Sequence, residues 1–134
     1  MKSLKILLVA TVIFFTACSK ENSNPNVDSS VLVGKWKISE TLADPGDGSG
    51  KWEKVSKKRN DFIDFEENGT LSGNIYVEYK TYKIQDSSIL TFTKADGVTY
   101  QNYMYELKDG SLSMSPAGPM YCIEGCGTRF IKIE

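Results

Sequence analysis

Residues 33–42 read VGKWKISETL, and the alternation in this stretch decides the fold. Successive side chains of an extended strand point to opposite faces. Trp36, Ile38 and Leu42 therefore share one face, with Lys35, Lys37 and Ser39 on the other. The same pattern recurs at Asp61–Glu66, Thr70–Tyr76, Val77–Ile84, Ile89–Thr93, Val98–Leu107, Ser111–Ser115 and Thr128–Glu134. In the last run Arg129, Ile131 and Ile133 fall on one face. Turn sequences separate the runs. Asn68-Gly69, Asp96-Gly97 and Asp109-Gly110 tolerate the positive φ of tight hairpins, Gln85–Ser88 is polar, and Gly73–Tyr76 permits a chain reversal. No segment carries an apolar stripe of helical period.

About eight strands joined by short turns predict an all-β fold, a small antiparallel up-and-down β-barrel. Closing the sheet removes edges that would otherwise pair with other chains. The competing architecture is a sandwich of two short sheets. A single domain over residues 32–134 suits this length.

The N-terminus, MKSLKILLVATVIFFTAC (1–18), has Lys2 and Lys5 before an apolar run, then small residues before Cys18. That is the layout of a secretory signal peptide, expected over residues 1–17. A cysteine directly after the small residue resembles the lipobox of bacterial lipoproteins. The resemblance implies that Cys18 is lipidated and becomes the mature N-terminus. Residues 18–31, polar and poor in apolar side chains, read as the lipidated cysteine and a flexible tether. Ser19 after the cysteine resembles lipoproteins sent to an outer membrane, so the expected location is the cell envelope, with the membrane as partner through the anchor. Loss of Lys2 and Lys5 leaves 14 basic against 17 acidic side chains, a balance of −3. That charge, without a basic stripe, speaks against a nucleic-acid partner. No internal repeat or heptad points to an oligomer, and a monomer is expected.

The chain contains no histidine, which removes the usual general base and the commonest ligand of catalytic zinc. The Glu66-Glu67 pair sits at a hairpin turn. No catalytic role, metal or cofactor is expected. With Cys18 consumed by lipid, Cys122 and Cys126 remain as an even pair in an oxidising compartment and are expected to form a disulfide. Its loop is short, so the chain-entropy contribution is only about 2 kcal/mol.

Three elements in order carry a resemblance. VGKW (33–36) contains Gly34-Lys35-Trp36, similar to the G-x-W motif of lipocalins; LADPGDGSGKW (42–52) follows, and CIEGCGTRF (122–130) ends the set. Together they resemble the lipocalin-like domains of bacterial envelope lipoproteins, although the chain is shorter than a full lipocalin and shows no helix. The resemblance implies that Trp36 and Arg129 pack together to close one end of the barrel. It also implies non-catalytic binding of a small apolar ligand, with Phe65, Tyr82, Leu90, Phe92, Tyr103 and Tyr105 as candidate contacts. Ile63, Leu71, Ile84, Leu107 and Met114 complete the expected interior. The alternative is a filled core whose rim loops bind a protein or glycan partner.

The loop Asp44, Pro45, Gly46, Asp47, Gly48, Ser49, Gly50 admits three chemistries. It falls one residue short of the phosphate-loop spacing, and Trp52 stands where a hydroxyl is required. Asp44 and Asp47 do not match the calcium-loop pattern, although two carboxylates and several carbonyls could converge there. The favoured expectation is a lid over the barrel mouth, joining the first two strands.

Overall fold

The computed structural model describes residues 29–134. The expected signal segment, Cys18 and the expected tether as far as residue 28 lie outside the described residues. The described chain opens with a 3₁₀ turn, Ser29–Val31, and continues as β1 (Gly34–Ala43), β2 (Lys51–Lys54), β3 (Phe62–Phe65), β4 (Leu71–Gly73) and β5 (Tyr79–Ile84). Then follow β6 (Ile89–Lys94), β7 (Tyr100–Lys108), β8 (Ser111–Pro116) and β9 (Cys126–Lys132). All pairings are antiparallel, in the order β4-β3-β1-β9-β8-β7-β6-β5, with β2 also paired to β1. A bridge between Thr70 and Thr81, and the Tyr82 N–H donating to the Gly69 carbonyl at 2.8 Å, bring β5 back to the β4 end. The sheet is a nearly closed barrel.

Local chemistry explains the turns. The side chains of Asn68, Asp86 and Asp96 accept backbone N–H groups two or three residues ahead: Thr70; Ser88 and Ile89; Val98 and Thr99. Short polar side chains at such positions replace the backbone partners that a reversing chain loses. The reversal expected near Gly73–Tyr76 is present, with Gly73 at φ 135° against the backbone of Phe62.

Two features depart from the simple alternation. The second strand of the meander is split: β2 pairs with the far half of β1, Glu40 to Ala43, and β3 with the near half, Gly34 to Lys37. Val55 N–H donates to the Ser39 carbonyl and Ile38 N–H to the Asp61 carbonyl, so residues 56–60 leave the sheet and return to the same edge. The β1–β9 register also shifts between Ile38 and Glu40. One extra residue on β1 reverses the facing of everything beyond it. Leu42 therefore leaves the Trp36–Ile38 face expected from its spacing and lies opposite Trp52 and Gly127 on the outer wall.

The core is one cluster of thirteen buried residues, from Leu32 and Trp36 through Phe65, Leu90 and Phe92 to Phe130. All eleven expected interior positions belong to it or pack against it.

Candidate functional site

The barrel has two unlike ends. At the end where the chain enters, Leu32 and Trp36 are buried, and the Trp36 indole N–H donates to the Leu32 carbonyl at 2.7 Å. The turns 66–70, 85–88 and 109–110 share this end by strand direction. Two of the candidate ligand residues serve as staples here. The Tyr82 hydroxyl bonds the Glu66 carbonyl at 2.9 Å and the Tyr105 hydroxyl the Asp86 carbonyl at 3.3 Å.

Arg129 does not meet Trp36. In register Trp36 faces Lys132, whose ammonium lies 5.5 Å from the indole centre, whereas Arg129 faces Glu40. Three residues of a strand span roughly 10 Å, and the odd separation puts Arg129 outside while Phe130 points in. The Arg129 guanidinium stacks 3.9 Å over Trp52 and donates to Glu40 at 2.9 Å. The arginine–tryptophan pair thus exists on the outer wall, with the other tryptophan.

Inside, the remaining candidates fill space against one another. The Phe92 ring lies 4.8 Å from Tyr103, 6.0 Å from Phe65, 5.7 Å from Tyr76 and 5.9 Å from Tyr79. Tyr82 stands edge-on to Phe65 at 4.9 Å. Such edge and tilted contacts are how rings pack in an apolar core. Burial first, then the neighbouring Tyr76 and Tyr79, push the Tyr103 phenol far above its ordinary range, so it stays protonated.

The opposite end carries loops 44–50, 74–78, 95–99 and 117–125. There Met120, Tyr121 and Ile123 are 67%, 70% and 101% exposed, and Val77 and Val98 are exposed on neighbouring loops. Their loop is firmly held. Gln101, buried on β7, donates to the Met120 carbonyl at 2.8 Å and accepts the Met120 N–H at 3.0 Å. Ala117 bridges Tyr121, a disulfide joins Cys122 to Cys126 as expected, and the Asp44 N–H donates to the Gly125 carbonyl at 2.8 Å. Gln101 shares a face with Tyr103 and Tyr105, and a lone amide on an apolar face is the signal for this clamp.

Loop 44–50 is organised by its first residue. Asp44 Oδ1 accepts Gly46 N–H at 2.8 Å and Gly48 N–H at 3.1 Å, and Oδ2 accepts Gly50 N–H at 2.9 Å. Asp47 accepts Ser49 N–H at 2.9 Å. The loop borders a cleft of about 440 Å³ between Ala43-Asp44 and Tyr121–Cys126. The N–H of Gly46, then those of Gly50 and Gly48, hold the Asp44 carboxyl below its ordinary 3.8. A depressed value means the charged form stabilises this conformation above that pH, and the stabilisation is lost as pH falls through the folded value. The Gly46 and Gly50 amides are expected to be protected at neutral pH relative to their intrinsic exchange rates, and to lose that protection below the folded value and in Asp44→Ala. Unchanged protection in Asp44→Ala would show that something else holds the loop.

Two further clefts lie on the outer wall beside Glu40 and Ile131. One, of about 370 Å³, is bordered by Glu106, Lys108, Ser111, Ser113 and Arg129; the other, of about 420 Å³, by Lys37, Lys54, Val55 and Lys57. Among the described residues no cluster of three or more His, Cys, Asp or Glu side chains is placed to hold a metal ion.

Fold and site together define a small antiparallel barrel with one plugged end and one apolar, braced rim. Compared with protein-family models, curated proteins and solved structures, the chain has no significant match in any of the three.

Proposed function

We propose that the protein is a lipid-anchored, non-catalytic interaction module of the cell envelope, whose rim loops bind a protein or glycan partner. The observation that carries this reading is the placement of Met120, Tyr121 and Ile123. These are exposed apolar side chains on a loop clamped by Gln101 and a disulfide. Apolar and aromatic side chains held rigidly at a surface lose little entropy on binding, which is the property of interface anchors. The plugged end is the one where the described chain enters, so an anchor at Cys18 would join the barrel at the end opposite the rim. A small apolar ligand among Phe65, Tyr82, Leu90, Phe92, Tyr103 and Tyr105 has less support, because these side chains are engaged with one another or with turn carbonyls.

Photo-crosslinking in intact cells tests the rim. A photoreactive residue at Ile123 is expected to give defined adducts, whereas one at Met104, which is 58% exposed on the barrel wall, gives none. Equal yields at both positions, or none at Ile123, would remove the rim reading. A stoichiometric small molecule retained in native mass spectrometry would instead restore the ligand-carrier reading. Cys18→Ala is expected to release the protein from membranes.

A further inference from the structure

The split second strand creates a notch in the barrel wall. Residues 56–60 leave the sheet beside the register shift at Ser39, and the space of about 420 Å³ is lined by Ile38, Val55 and Ile131 together with Lys37, Lys54 and Lys57. Ile131 is 45% exposed there, an apolar side chain without cover. The charges around the notch are unequal. Its single carboxylate, Glu40, is bonded to Arg129 at 2.9 Å. Nearby Lys35 pairs with Glu134, and Arg59 with Asp61. Lys37, Lys54 and Lys57 have no ion pair among the described residues. Three uncommitted ammonium groups thus border one apolar floor.

We infer that this notch binds a single-chain anionic amphiphile, a free fatty-acid-like molecule, with its chain on Val55 and Ile131 and its head group at Lys54 and Lys57. Charge complementarity selects the anion, since lysine stems lie along apolar surface while their ammonium groups stay at its edge. The volume is at the lower end of the range of about 300–1,000 Å³ that small ligands occupy, which suits one chain rather than the two of a membrane phospholipid. The notch is lined by residues of β1, β9 and the 54–57 segment, away from the rim loops, so this inference stands apart from the rim reading.

The test uses monomeric sodium dodecanoate titrated into the full chain and followed by backbone amide NMR. Saturable one-to-one binding is expected, with the largest shifts at Val55, Ser56 and Ile131. The double variant Lys54→Glu/Lys57→Glu changes only exposed side chains and is expected to weaken binding at least tenfold. A neutral dodecyl glycoside is expected to bind at least tenfold more weakly than dodecanoate. Shifts centred instead on Phe92 and Tyr103 would place the ligand in the barrel interior and overturn the inference, as would equal affinity in the charge-reversed variant or for the neutral chain. Binding to anionic phospholipid vesicles with no binding of monomeric dodecanoate would assign the lysines to a membrane surface, and would also overturn it.

Discussion

Phe92→Ala is expected to lower the unfolding free energy by about 3–5 kcal/mol, the usual cost of removing a buried aromatic side chain. The residue is fully buried and its ring touches those of Phe65, Tyr76, Tyr79 and Tyr103. Deleting it therefore leaves a void bordered by four aromatic side chains, three of them, Phe65, Tyr79 and Tyr103, pinned by their own strands. Against a total of about 5–15 kcal/mol for a domain of this class, the denaturant midpoint should move far and the slope little. The experiment also separates the two uses of the interior. A ring lining an open site is already partly surrounded by empty space, and its removal would cost less than about 1–2 kcal/mol in transferred area alone. A small midpoint shift would thus mean that the aromatic residues border a cavity and that the filled-core reading is wrong.

Much of this architecture is legible in the sequence, because it rests on local chemistry. Alternation locates the core faces, and Asn-Gly or Asp-Gly marks the hairpins whose side chains accept the reversing backbone's N–H groups. The eleven expected interior residues all reach the core or pack against it for the same reason. What cannot be read there depends on partners distant in sequence. Ser39 carries nothing that marks a bulge; the register shift is imposed by β9, some 90 residues later, where the Ser39 hydroxyl meets the Arg129 carbonyl. Spacing alone consequently puts Leu42 on the wrong face. The KWEK strand is silent in the sequence because its one apolar residue, Trp52, faces outward, which leaves no alternation to detect. The clamp on the rim loop needs Gln101 to meet Met120 across 19 residues. Its only trace is an amide where the pattern requires an apolar side chain.

The tryptophans give the second large effect. Trp36→Ala is expected to cost about 3–5 kcal/mol, since Trp36 is 2% exposed and its removal also orphans the Leu32 carbonyl at the plugged end. Trp52→Ala, on the outer wall, should cost far less, near the 0.5–2 kcal/mol of a cation–π contact with some lost packing over Gly127. Double-mutant cycles with Arg129→Ala then decide which tryptophan the arginine serves. Trp52 and Arg129 should couple by about 0.5–2 kcal/mol, whereas Trp36 and Arg129, on opposite faces of the sheet, should add within about 0.5 kcal/mol. Lys132→Ala, paired with Trp36 in register, should couple weakly to Trp36 and not at all to Trp52. A coupling of 1 kcal/mol or more between Trp36 and Arg129, roughly the scale of a direct cation–π contact, would return the arginine to the plugged end. Additivity instead gives the two tryptophans separate roles. Trp36 then seals the end where the described chain enters, while Trp52 with Arg129 and Glu40 pins the split strand to the wall.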